Sequence, residues 1–541
     1  MTILIDDLVK SVELMIQIIS RTGKQQKVGE GFVDPTLDPV LLVPGIAGSI
    51  LDAVDDQTGS IERVWVRILR ADREFCSKLW SRFDPSTGKT VSLNSDTHIE
   101  VPDDRNGLYA IDVLDPDLII GREAVYYFHD MIVEMQSWGY QEGTTLFGFG
   151  YDFRQSNRLQ DTLDRLAAKF ESVYTASGGR KITLISHSMG GLLVKCFMSL
   201  QSEIFEKYVN KWIAIAAPFQ GAPGYINAAF LNGCSFVSGW AQNFFISKWS
   251  MHQLLVECPS VYELMGSRDF QWQHAPVLEI WKEKKSGNGD STILLESFSP
   301  SDAVSVISQA LSINKIKYDG LEIPLPFNFE ILKWANETRK ILDSANLPDS
   351  VKFYNIYGTS LETPHSVCYG SEDSPVNDLH QLPFCLASYI CVDGDGTVPV
   401  ESAKADGLNA VARVGVPGEH RGILCDRHVF RVLKHWVRAD HDPFYNPMID
   451  YVILPTLFDL ERRQEKGSNV NEEWEIVSAE TEHPVTKDKN QLVGSIAVSI
   501  VENDKFSREE AYATAMVVQP QSEETNRVDV TAVSVCVSRN A

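Results

Sequence analysis

The chain has 541 residues, 44% of them hydrophobic, with 49 Lys and Arg against 73 Asp and Glu, a formal net charge of −24. So acidic a chain excludes a nucleic-acid binder, which needs clustered basic residues, and nine cysteines at irregular spacing exclude a disulfide scaffold. With 11 Trp, 17 Tyr and 25 Phe it is not disordered throughout, and its length calls for a large core domain with insertions or for two to three domains.

Residues 1–38 read as an amphipathic helix followed by a polar linker. Asp6, Asp7 and Glu13 interrupt the apolar residues, so this segment does not fit a secretory leader. No window of about 18 uncharged apolar residues predicts a membrane span. The lone sequon Asn336-Glu337-Thr338 is of a kind that arises often by chance. The expected location is the cytoplasm, with a peripheral membrane position open.

Val40-Leu41-Leu42-Val43 is a short apolar run stopped by Pro44-Gly45, the pattern of a strand buried on both faces. The same pattern recurs at Ile182-Thr183-Leu184-Ile185, at residues 211–216 and at residues 351–357, with helical stretches between. This predicts an α/β fold with a mainly parallel sheet, its core running over residues 39–221 and 351–460. Residues 222–350 lose the rhythm and are rich in Trp, Phe, Leu and Met, which predicts an inserted, mostly helical cap. From residue 467 to the end there are thirteen acidic residues against six basic ones, yet Ile496, Val498 and Ile500, and then Val533, Val535 and Val537, alternate with polar residues. We read residues 467–541 as a small β appendage rather than a disordered tail.

The chemistry concentrates at Ser186-His187-Ser188-Met189-Gly190-Gly191, set between a buried strand and a helix. This is the context of a nucleophile elbow, a tight turn that lifts one side chain out of the sheet and needs small residues two before and two after it. Gly190 meets the second need, and Ser186 stands where glycine is usual. With Ser188 as nucleophile, an acid and then a base are expected downstream. Asp393 and Asp395 compete for the acid in Val392-Asp393-Gly394-Asp395-Gly396-Thr397, and Asp395, ahead of Gly-Thr-Val, is preferred. A calcium loop starting at Asp393 fails, with Val398 where glycine is needed and Lys404 where glutamate is. Of the five later histidines, His428 and His435 lie in a helical stretch, and His441 and His483 follow no strand. His420 ends a strand and turn just before a helix and is the expected base. His187 is expected to pack under the elbow. The loop Val43-Pro44-Gly45-Ile46 would supply one oxyanion donor from the N–H of Ile46, with Met189 N–H the other.

Val43-Pro44-Gly45 with Gly48-Ser49, then Tyr151-Asp152-Phe153-Arg154, the elbow, Ala217-Pro218-Phe219-Gln220-Gly221 and Asp393 to Val398 occur in the order seen in lecithin–cholesterol acyltransferases, and over residues 38–440 the chain resembles that family. The resemblance implies an α/β-hydrolase fold, a Ser188–Asp395–His420 triad and oxyanion donors Ile46 and Met189. Secreted members hold their lid with a disulfide, whereas residues 50–110 contain only Cys76, which points to the plant cytosolic phospholipase A branch. Residues 61–80 mix Trp65, Val66, Ile68 and Leu69 with arginines and read equally as a lid that touches a bilayer and as an amphipathic helix packed on the domain.

The expected function is a calcium-independent serine phospholipase A acting on lipids such as phosphatidylcholine at a bilayer or micelle surface, with no metal, cofactor or nucleic acid. Strong negative charge disfavours anionic bilayers. Acyl transfer to a sterol or glycerolipid is the alternative, and a non-catalytic lipid-binding protein a second.

Overall fold

The computed structural model describes residues 33–67, 75–118, 122–233, 247–285, 291–438, 451–452, 492–499, 510–518 and 529–537. Two compact units divide the chain, Met1–Tyr445 and Asn446–Ala541. The expected N-terminal helix lies almost wholly outside the described residues.

In the first unit the apolar runs form the centre of a parallel sheet. Strands β1 (Val40–Val43), β2 (Leu146–Gly148), β3 (Ile182–His187), β4 (Val209–Ile215), β5 (Lys352–Thr359) and β6 (Ala410–Pro417) lie in the order β6-β5-β4-β3-β1-β2, every neighbour parallel. All residues of β1 and β3 are buried, as strands covered on both faces must be. Helices α1 (Gln160–Ala176) and α2 (Gly190–Leu200) flank β3 in sequence, and α2 buries nine of its eleven residues. This is the expected α/β architecture.

The segment after β4 contains helices α3 (Pro223–Asn232) and α4 (Lys248–Leu255), three further helices, and two hairpins, Leu278–Lys285 with Ser291–Phe298 and Lys315–Tyr318 with Leu321–Pro324. The insertion is therefore helical with added β structure. Its first hairpin joins a second sheet, with Leu278 opposite Val367 on the strand Leu361–Tyr369, and that strand pairs with Ala387–Gly394, which ends one residue before Asp395.

Residues 61–80 do not form one amphipathic helix. Ile61–Trp65 is a strand paired with Leu51–Asp55. Trp65 and Val66 are fully buried, so neither can touch a bilayer. The Trp65 indole finds its acceptor in the Ala47 carbonyl at 2.8 Å and packs edge-on against Phe153. Ile68 and Leu69 fall outside the described residues.

The Tyr-Asp-Phe-Arg motif follows β2 and works inside the core. Arg154, 2% exposed, donates to both Asp152 carboxylate oxygens at 2.9 and 2.7 Å and to the Leu79 carbonyl at 3.0 Å. Burial alone would raise the Asp152 pKa, but the guanidinium outweighs it and holds the carboxyl below its ordinary value. Tyr151 donates its hydroxyl to the Pro44 carbonyl at 3.1 Å, fastening the loop after β1.

In the second unit, Leu492–Ser499, Glu510–Val518 and Asp529–Val537 form a three-stranded antiparallel sheet.

Replacing Arg154 by Met keeps the volume but leaves Asp152 a buried charge without its cation, so stability should fall by about 3 kcal/mol. Urea denaturation reads this directly, and an unchanged midpoint would contradict the assignment of Arg154 as a core ion pair.

Candidate active site

Between β3 and α2 the chain turns at Ser188, which adopts φ 54°, a conformation rare for a residue with a Cβ. Its N–H donates to the Ile215 carbonyl at the end of β4, 2.9 Å away, which holds the turn against the sheet. The small residues around it have identifiable causes. A Cβ on Gly191 would stand 2.6 Å from the Ala217 Cβ, and one on Gly190 would run into the Pro44 carbonyl. Ser186 replaces the usual glycine without strain because its hydroxyl, fully buried, accepts the Trp212 indole N–H at 2.9 Å.

The three side chains expected to act together meet. Ser188 Oγ lies 2.9 Å from His420 Nε2, and His420 Nδ1 lies 2.7 Å from Asp395 Oδ2. Asp395 is 1% exposed, and its other oxygen accepts the N–H groups of Thr397 at 3.0 Å and Val398 at 2.7 Å. The Asp395 carbonyl also accepts the His420 N–H at 2.9 Å, so acid and base are tied through backbone as well as side chain. A carboxylate at Nδ1 fixes the proton there, leaving Nε2 to accept from Ser188. Burial opposes a charged His420, but the Asp395 charge and hydrogen bond outweigh it and raise the imidazole pKa above its ordinary value.

Asp393 is not in this chain of contacts: it accepts the Ser360 N–H at 2.6 Å. His428 and His435 belong to the helix α5 (Arg427–Trp436), whose first N–H groups are capped by Asp426. His441 and His483 lie outside the described residues.

The N–H groups of Ile46 and Met189, expected as oxyanion donors, have no hydrogen-bond partner among the described residues. Met189 immediately precedes α2, where the helix dipole adds to its donor strength. The Ile46 loop is held by three aromatic side chains: Tyr151 on Pro44, Trp65 on Ala47, and Tyr127, whose hydroxyl accepts the Gly45 N–H at 2.8 Å. Sequence reasoning missed Tyr127. Its only sequence signal is an aromatic run, Tyr126-Tyr127-Phe128, which belongs to no motif.

Ser188 and His420 open on a cavity of about 740 Å³, within the usual range for a small-molecule site. Its lining has an apolar set from α3 and α4, including Ile226, Ala229, Met251 and Leu255, and a charged set, Glu123, Asp130, Glu419 and Arg421. The arrangement is suited to acyl transfer from an ester with a long apolar acyl group: an oriented hydroxyl, a base beside it, free N–H donors near it and an apolar channel.

The model of the lecithin:cholesterol acyltransferase family matches residues 83–406, more than half of the chain. The chain belongs to the lecithin:cholesterol acyltransferase family. It is 60% identical to lecithin-cholesterol acyltransferase-like 4 of Arabidopsis thaliana over 99% of this chain and all of that one. It is 53% identical to phospholipase A(1) LCAT3 of the same plant over 74% of this chain and 91% of the relative. Among solved structures, the Tle4–Tli4 complex aligns with a TM-score of 0.47 at 16% identity, over 74% of this chain and 98% of that one. The range matched by the family model contains Ser188 and Asp395, whereas Ile46 and His420 lie outside it and rest on the geometry above. The likeness to the first relative extends through the C-terminal residues, so this lecithin:cholesterol acyltransferase family member shares its extension with at least one other.

Gly45 is where this geometry is tightest, because a Cβ there would stand 2.6 Å from the Ser188 Cβ and 3.0 Å from its Oγ. Gly45→Ala should slow modification of Ser188 by a fluorophosphonate roughly tenfold or more, since about 1.4 kcal/mol of misplacement already costs that factor. Wild-type labelling kinetics in the variant would show that the loop and the elbow are not in register.

Proposed function

We propose that this chain is a calcium-independent serine phospholipase A that cleaves a fatty-acyl ester of a glycerophospholipid such as phosphatidylcholine. The observation that carries the reading is the unbroken line Asp395–His420–Ser188 opening on an apolar cavity. In it, Ser188 Oγ attacks the ester carbonyl while His420 Nε2 takes its proton. The tetrahedral oxyanion is received by Ile46 and Met189 N–H, and Asp395 stabilises the imidazolium. Collapse expels the lysophospholipid alkoxide, which His420 protonates, leaving an acyl-enzyme. Water, deprotonated by His420, then releases the fatty acid and restores Ser188.

The relatives' names support the substrate class, one being called phospholipase A(1) and another, from Homo sapiens and 23% identical, lysosomal phospholipase A and acyltransferase. That second name favours the alternative outcome in which a sterol or glycerolipid hydroxyl replaces water, because both outcomes share one acyl-enzyme. The encounter is peripheral, at a bilayer or micelle surface in the cytoplasm. No helix among the described residues is long and apolar enough to cross a membrane. The free thiols of Cys196, Cys258, Cys368, Cys385, Cys391 and Cys425 fit a reducing compartment.

Phosphatidylcholine vesicles, with and without sterol and in the presence of a calcium chelator, supply the test. Free fatty acid and lysophospholipid are the expected products by mass spectrometry, and Ser188→Ala should lower their formation by roughly 10⁴-fold or more. Sterol ester in place of fatty acid would establish the acyltransferase outcome, and a variant equal to wild type would dismiss the nucleophile.

The pH profile follows from His420. Only the neutral imidazole can take the Ser188 proton, so activity is present above its pKa and lost as pH falls through it. Because Asp395 raises that pKa, the acid limb of kcat/KM should have its midpoint above the ordinary value of about 6.5. A midpoint below that value would mean that Asp395 does not act on this imidazole.

A further inference from the structure

His187 is 1% exposed, stands next to the nucleophile, and uses both of its ring nitrogens. Nδ1 lies 2.7 Å from the Tyr127 hydroxyl and Nε2 lies 2.9 Å from the His420 carbonyl oxygen. The direction of every proton is determined. The Gly45 N–H donates to Tyr127 Oη at 2.8 Å, so the tyrosine's own proton goes to His187 Nδ1. A carbonyl can only accept, so the remaining proton of a neutral His187 sits on Nε2 and points at His420. Burial, and then the neighbouring His420, hold the His187 pKa well below its ordinary value, which keeps the ring neutral.

The two ends of this line are backbone groups of different loops. One is the N–H of Gly45, next to Ile46; the other is the carbonyl of His420. A second tie runs alongside, from Arg421 Nη2 to the carbonyls of Ala124 and Tyr126 at 3.0 and 2.9 Å. The Ile46 loop keeps its other fastenings, to Tyr151 and Trp65, when the line is cut.

We propose that Tyr127 and His187 are positioning residues, a hydrogen-bonded strut that sets the spacing between the loop donating Ile46 N–H and the loop carrying the base His420. The strut rests on the Ser188 hydrolase reading above. It acts on the transition state, where oxyanion donor and base must both reach one tetrahedral carbon, and not on substrate binding.

The test uses the full chain with p-nitrophenyl butyrate, a soluble ester that reports the site without a lipid surface. Tyr127→Phe keeps the ring and removes the hydroxyl. It should lower kcat roughly tenfold or more with KM within about twofold; the unpaired Gly45 N–H and His187 Nδ1 lower the melting temperature, but the variant stays fully folded at the assay temperature. His187→Leu should lower kcat at least as far, and His187→Gln, whose amide can again donate toward the His420 carbonyl, should recover part of the loss. The double variant Tyr127→Phe/His187→Leu should fall within about threefold of His187→Leu alone, because one broken strut cannot be broken twice. Wild-type kcat in Tyr127→Phe, fully additive losses, or a loss matched by unfolding would each overturn the strut. Should His187→Leu fail to fold, Tyr127→Phe decides alone. A wild-type rate equal to that of Ser188→Ala would instead bring down the hydrolase reading, and the strut with it.

Discussion

Two stretches of backbone, Pro44–Gly45 after β1 and Ser188–Gly190 at the elbow, run so close that neither Gly45, against the Ser188 side chain, nor Gly190, against the Pro44 carbonyl, has room for a Cβ. Ser188 sits where it does because the sheet places these stretches side by side, β1 adjacent to β3 in parallel register. That closeness brings Ile46 and Met189, whose N–H groups have no partner among the described residues, to the neighbourhood of Ser188. At its positive φ the elbow residue keeps its N–H bonded to the Ile215 carbonyl.

Two imidazoles lie beside this junction with ring centres 4.9 Å apart, and their environments separate them. His420 has a carboxylate on Nδ1 and is pushed toward holding a proton. His187 has a phenol on one nitrogen and a carbonyl on the other, with no countercharge, and is kept neutral. Residue type alone does not tell the two apart; the partner at Nδ1 does.

The parts of the site that were legible in the sequence are those whose cause is local. A buried strand, a small-residue turn and a helix follow one another within about ten residues around Ser188, and the strand ahead of Asp395 and the strand and turn ahead of His420 are equally contiguous. What could not be read depends on contacts distant along the chain. Tyr127 reaches Gly45 and His187 from 82 and 60 residues away. Trp65 has the composition of a bilayer-facing residue, yet its indole N–H is taken by the Ala47 carbonyl and its ring by Phe153, a partnership no local pattern announces. The hairpin at residues 278–298 was hidden because its outer strand is exposed along most of its length and so lacks the alternation that marks a half-buried strand.

That hairpin pairs through Leu278 with the strand Leu361–Tyr369, whose other edge holds the strand ending just before Asp395. The segment whose helices line the cavity beside Ser188 and the strand that leads to Asp395 are thus stitched into one sheet. In this chain the hairpin is therefore not an independent cassette, since its edge at Leu278–Ile280 is paired with Val367–Tyr369. Helix α3 leans on the same sheet, its Asn232 Oδ1 accepting the Tyr369 hydroxyl and its Gly224 too close to Pro364 and His365 for a Cβ, so the cavity wall it supplies is fixed against the strand paired with the one that leads to Asp395.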